Sequence, residues 1–166
     1  MANVNDLVLA GMWASTAETV VRAPIDKVLT TGTALTLTQK DHAGKVICFN
    51  NLAGTTVTLP AATGSGDVYT FLTTRLPTSN SNIVKVANAN DVMAGSLVVV
   101  DNADGTCTTF GTVAASDTIT LNRTTTGAVR IGECFQLIDA AANAWSVRGT
   151  VVATGTEATP FSATVS

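Results

Sequence analysis

Three short stretches constrain what this chain can fold into more than anything else in it. Thr33-Ala-Leu-Thr-Leu-Thr38, Thr55-Thr-Val-Thr-Leu-Pro60 and Asp117-Thr-Ile-Thr-Leu-Asn122 each put Leu, Val or Ile on every second residue, with Thr in the gaps. A strand turns successive side chains to opposite faces, so this alternation defines one apolar face and one hydroxyl face. Thr is β-branched and fits a pleated, half-buried surface. Further runs of strand character follow at short intervals: 45–50, 67–74, 82–87, 96–101, 106–113, 128–138 and 144–152, with 161–165 as a possible last strand. Turn chemistry separates them, as in Asn51-Leu-Ala-Gly54, Thr63-Gly-Ser-Gly-Asp67 and Asp139-Ala-Ala-Ala-Asn143. Asp104-Gly105 between two such runs is a hairpin signal. The expectation is an all-β fold, a β-sandwich or barrel of about ten short antiparallel strands. Leu97-Val-Val-Val100 is apolar throughout and reads as a strand buried on both faces. No internal repeat is visible.

The first 30 residues differ from the rest. Val4, Leu7, Val8, Leu9, Met12 and Trp13 form a compact apolar cluster, and Asp6 is placed to cap a short helix starting at Leu7. Gly11 opposes that helix. Pro24 favours extended backbone at Ala23. The division is therefore an extended or short-helical N-terminal arm over 1–30 and a β domain over 31–166. The six apolar residues of the arm, Val4, Leu7, Val8, Leu9, Met12 and Trp13, are the candidate contacts to a partner or a sister subunit, against the plainer alternative of packing on the domain's own core.

Function classes narrow by what the 166 residues contain. Only 13% are charged, 46% are apolar and 5% aromatic, and the net charge is −3. The five Arg and four Lys are scattered with no basic stripe, which speaks against a nucleic-acid partner. No apolar run is long enough for a membrane span, and the start lacks the basic region of a secretory signal, so the expectation is a protein folded in a cytoplasm. Cys48, Cys107 and Cys134 are odd in number and far apart, which argues against a disulfide framework or a metal motif; all three read as buried thiols.

Chemistry-bearing residues are sparse. His42 is the single histidine and sits in a polar turn, Lys40-Asp-His-Ala-Gly44, with no nucleophile elbow anywhere. Asp101-Asn-Ala-Asp-Gly105 resembles the start of a calcium loop, but Thr112 stands where the bidentate Glu is needed, so it reads as a hairpin turn. Gly64-Ser-Gly66 lacks the Lys-Ser/Thr of a phosphate loop. Glu133 falls on an apolar alternation between Ile131 and Phe135, and a buried carboxylate needs a partner. Arg123 or Arg148 from a neighbouring strand is expected to supply it, unless Glu133 lies at an edge. No catalytic residue, metal ligand or cofactor site is expected.

The stretch Leu35-Thr-Leu-Thr-Gln-Lys-Asp-His-Ala-Gly-Lys-Val-Ile-Cys-Phe-Asn50, running into Thr56-Val-Thr-Leu-Pro-Ala-Ala-Thr-Gly-Ser-Gly-Asp-Val-Tyr-Thr-Phe71, resembles structural proteins of tailed bacteriophages, especially head-decoration (cement) proteins and some fibre proteins. Ile83-Val-Lys-Val-Ala-Asn88, Asp91-Val-Met-Ala-Gly95 and Ala144-Trp-Ser-Val-Arg-Gly149 extend the likeness over roughly 33–150. The resemblance implies a homotrimeric, non-enzymatic all-β protein made in the bacterial host cytoplasm. It implies attachment to the outer capsid surface of the virion where capsid subunits meet, with the major capsid protein as partner, and stabilisation of the head against the pressure of packed DNA. The alternative is a head or tail fibre module that binds a host-surface receptor. A hydrolase or lyase is the remaining and least supported reading, because no set of residues is present to run one. The arm lies outside the resembling stretch.

Overall fold

The computed structural model describes residues 26–165. Twelve strands and one helical turn follow one another as β1 (Lys27–Thr30), β2 (Ala34–Thr36), α1 (Gln39–His42), β3 (Val46–Phe49), β4 (Thr56–Thr58), β5 (Val68–Thr73), β6 (Asn82–Lys85), β7 (Val92–Asp101), β8 (Cys107–Gly111), β9 (Thr118–Leu121), β10 (Cys134–Ala141), β11 (Ala144–Ala153) and β12 (Phe161–Ser162). They make two sheets. One has seven strands in the order β1-β3-β5-β10-β11-β7-β8, and the other has five in the order β12-β9-β6-β4-β2. The all-β reading holds.

The expected antiparallel pairing does not hold, for both sheets are mixed. β1, β3 and β5 pair in parallel, as do β2, β4 and β6, and β11 pairs in parallel with β7. From β1 to β7 the chain steps alternately from one sheet to the other, so each parallel connection carries a strand of the opposite sheet. Parallel neighbours need such a crossover, usually a helix. Side-chain alternation is identical in parallel and antiparallel strands, which is why the sequence pattern could not separate them. Lys27, Val46 and Thr70 stack in one row and Ala34, Thr56 and Ile83 in another, at unequal sequence spacings that hide the winding.

Both sheets feed one hydrophobic cluster. Ile47, Phe49, Phe71, Phe135, Leu137 and Trp145 come from the seven-stranded sheet, and Val57, Val84, Ile119 and Leu121 from the five-stranded one. Phe71 stacks between Phe49 and Phe135 at centroid distances of 5.8 and 5.0 Å, and Tyr69 meets Trp145 edge-on at 5.6 Å. The alternating Thr segments behave as their pattern requires: Leu37, Val57, Leu59, Ile119 and Leu121 are buried in that cluster. Asp104-Gly105 does turn the β7–β8 hairpin, with Gly105 at φ +77°.

Three details depart from expectation. Leu97 and Val99 face the core, but Val98 and Val100 are only half-buried on the opposite face, so β7 is not buried on both sides. Lys27–Thr30, at the end of the stretch assigned to the arm, is the edge strand β1. Of the three thiols only Cys48 is buried; Cys107 opens the edge strand β8 and Cys134 opens β10, where strand ends leave them exposed.

Candidate functional site

Among the described residues, four buried carboxylates give the domain its polar architecture. Asp91, Asp117, Glu133 and Asp139 are each 5% exposed or less. Each lies two residues from a buried core side chain of the same face: Asp91 before Met93, Asp117 before Ile119, Glu133 before Phe135, Asp139 after Leu137. The alternation that turns the apolar residue inward turns the acid inward too, at the end of the core row. There each one accepts hydrogen bonds from the backbone of a loop that needs acceptors.

Glu133 takes N–H bonds from Ala128 at 2.7 Å and from Val129 and Arg130 at 2.6 Å. Among the described residues no arginine side chain pairs with it. Arg123 donates to the Thr78 carbonyl at 2.9 Å, and Arg148 donates to the Gln136 side chain at 3.0 and 3.2 Å. The expected ion pair is therefore replaced by three amides, and residues 128–133 belong to the loop that Glu133 gathers rather than to the strand. Burial pushes the Glu133 pKa up, against the opposing pull of those amides.

Asp139 is the most heavily bonded. It accepts the amides of Thr63 at 3.0 Å, Gly64 at 2.7 Å and Ser65 at 3.1 Å, and the hydroxyls of Thr63 at 2.9 Å and Ser65 at 2.8 Å. Burial alone would raise its pKa; the hydrogen bonds outweigh it and hold the group down at about 2. The glycine-rich loop thus does cradle an anion, and that anion is the protein's own side chain. Asp139 was missed in the sequence because it opens a run of turn-like residues. Its phase with Phe135 and Leu137 is the signal that could have found it. Asp117 likewise holds the amides of Thr164 at 2.8 Å and Val165 at 3.0 Å, and Asp91 that of Ala62 at 3.0 Å.

The other singled-out groups close their own turns. His42 lies half-buried in α1, its Nδ1 accepting the Thr38 N–H at 2.9 Å. Asp101 accepts the Ala103 amide at 2.6 Å, and Asp104 accepts the Thr106 amide at 2.9 Å and hydroxyl at 2.8 Å. The Thr106 amide is the main reason the Asp104 pKa is lowered. Among the described residues no group of three or more His, Cys, Asp or Glu side chains is placed to hold a metal ion. No helix among them is long and apolar enough to cross a membrane.

What remains for recognition is surface. The face of the seven-stranded sheet turned away from the core carries a continuous row, Leu29–Cys48–Leu72–Cys134–Thr150–Val98–Thr109, one residue per strand. Leu29 is 46% exposed, while Cys48, seated between Leu29 and Leu72, is buried without joining the core cluster. Beside the row, Arg130–Cys134, Thr150 and Val152 line an open cleft of about 390 Å³, and Ile131 stands 68% exposed on its rim. A second cleft of about 370 Å³ lies at the end of the five-stranded sheet, lined by Thr33, Ala53–Thr56, Asn80, Ser81 and Ile83. Val4, Leu7, Val8, Leu9, Met12 and Trp13, the candidate contact residues, lie outside the described residues.

No family model, curated protein or solved structure matches this chain.

Proposed function

We propose that this chain is a capsid decoration (cement) protein of a tailed bacteriophage. It is non-enzymatic and homotrimeric, and it binds the major capsid protein on the outside of the icosahedral head. On this reading the two sheets pack face to face as a sandwich around the cluster that both supply. The arm residues Val4, Leu7, Val8, Leu9, Met12 and Trp13 contact the capsid or a sister subunit.

The observation that carries the reading is the outer row of the seven-stranded sheet, where Leu29, Leu72, Cys134 and Val98 stand at least partly exposed alongside Thr150 and Thr109, set on a domain whose described buried acids all accept hydrogen bonds from loop backbone. Exposed apolar side chains gathered on one sheet face are where a partner binds. Four loops tied down by internal carboxylates make a stiff body, and a stiff body loses little entropy on docking. The resemblance over 33–150 supplies the kind of partner. The fibre-module alternative has one feature in its favour, the hydroxyl- and amide-lined cleft at Thr33, Asn80 and Ser81.

A cement protein stabilises the shell by binding the intact head and not its loose subunits. Heads stripped of the protein are expected to release their DNA at a lower temperature than native heads, and purified protein added back restores the native release temperature. Purified protein that neither sediments with stripped heads nor shifts their release temperature overturns the proposal. If that same protein binds host cells, the fibre reading takes its place.

A further inference from the structure

We propose that the outer edge of β8 pairs with the β8 edge of a second copy of this chain, antiparallel and in register about Thr109. This goes beyond the decoration reading and does not rest on it. A twofold contact of this kind is isologous and cannot close a ring of three, so it joins one assembled unit to the next.

Four strands end the two sheets, β1 and β8 in one, β12 and β2 in the other. A sheet edge offers unpaired N–H and C=O groups to any passing strand, and the strand most often at hand is the same edge of another copy. Folded proteins therefore guard their edges with charge, proline or brevity. β1 carries Lys27, with Asp26 directly before it. β12 is two residues long and follows Pro160. β2 is three residues long. β8 has five residues, Cys107-Thr-Thr-Phe-Gly111, and the run from Gly105 to Ser116 holds neither a charge nor a proline. Cys107, Thr108, Thr109 and Gly111 are exposed, and among the described residues no strand pairs with the outer side of β8. Such guards act against copies of the same chain, so the edge that lacks them is the edge where copies meet.

Hydrogen-bond phase fixes the register. The Asp101 N–H donates to the Thr106 carbonyl at 2.8 Å, and the Thr112 N–H donates to the Gly95 carbonyl at 2.9 Å. Even-numbered residues of this strand therefore turn their backbone groups toward β7, and those of Cys107, Thr109 and Gly111 point outward. A second β8 laid antiparallel, Thr109 against Thr109, sets each Cys107 opposite a Gly111. Each of these residues has one donor and one acceptor, and this register pairs them all. It also sets Thr108 beside the half-buried Phe110 of the other copy, a β-branched side chain against an aromatic one. No like charges oppose each other, because the run has none.

The test is sedimentation of the full-length protein over a dilution series, with amide hydrogen exchange read at Thr109 and Gly111. The wild-type mass is expected to rise with concentration, and those two amides to exchange roughly tenfold or more slowly when associated than when dilute. Thr109→Pro removes the central outward N–H and leaves the bonds to β7 intact, so the variant keeps the wild-type urea midpoint. Both central hydrogen bonds of the pair are lost, and association weakens roughly tenfold or more. Should that variant fail to fold, Thr109→Lys keeps every backbone group and sets two ammonium groups face to face. It associates less than wild type in low salt and recovers in high salt.

Variants that associate as wild type does would overturn the proposal, as would a wild-type mass that is constant across the dilution series. Slow exchange at every concentration would give the edge to a segment of the same chain, and fast exchange at every concentration would leave it bare; either result overturns the pairing. A protein that passes these tests but ignores stripped heads refutes the decoration reading and leaves the paired edge standing.

Discussion

Replacing Asp139 by alanine is expected to remove about 3 kcal/mol of stability, since hydrogen bonds to a charged acceptor are worth roughly 1.5–3 kcal/mol each and several are lost together without adding in full. The amides of Thr63, Gly64 and Ser65 and two hydroxyls lose their common acceptor at one stroke. Thr63–Gly66 is exposed, so water replaces part of what is lost, which keeps the figure below the full sum. Typical domains hold about 5–15 kcal/mol in total, so the variant is marginal but measurable by urea melts.

The same group sets an acid limit. Its folded pKa, about 2, lies below the ordinary 3.8. A depressed carboxylate stabilises the folded state above the unfolded pKa, and that contribution is lost as pH falls through the folded one. Wild-type stability should therefore decline between about pH 4 and pH 2, and the Asp139→Ala protein should decline less steeply over that window. Equal slopes and an unchanged urea midpoint would mean that the loop does not depend on this carboxylate.

Gly95→Ala is expected to be more damaging, by about 4 kcal/mol or more, because a new side chain would collide with backbone rather than with a movable neighbour. Gly95 sits opposite Val147 in the parallel β7–β11 pair, at φ +143°. A Cβ there would run into the Val147 carbonyl oxygen, with the Val147 carbonyl carbon at 2.9 Å and its nitrogen at 3.0 Å. The two strands must separate or β7 must rotate, and either breaks the pairing that joins β7 and β8 to the rest of the sheet. Gly105→Ala is the control. It also has positive φ, but nothing lies within 4 Å of its Cβ position, so it should cost only about 1 kcal/mol. If the two variants melt alike, close strand approach at Gly95 is not what demands glycine.

Much of this fold is written locally. The Thr-alternating segments announce their inward residues, and Asp104-Gly105 announces its hairpin, because both depend on neighbours in sequence. Strand partners are different. The pairing of β1 with β3 or of β7 with β11 depends on contacts far apart in the chain, and alternation carries no mark of direction. The carboxylates divide in the same way. Glu133 stood out because it interrupts an apolar alternation, yet its three amide partners come from a loop whose path only the fold reveals. Asp139 was hidden behind Ala140-Ala-Ala-Asn143, which reads as a turn although the strand runs on through Ala141. The outer row was illegible altogether, since it draws one residue from each of seven strands.

The most direct test of the decoration role is gold labelling of source virions with an antibody to this chain, viewed by electron microscopy. Label spread over the surface of the head is the predicted result. Label confined to the tail tip or fibres, or no label on any particle, would contradict it.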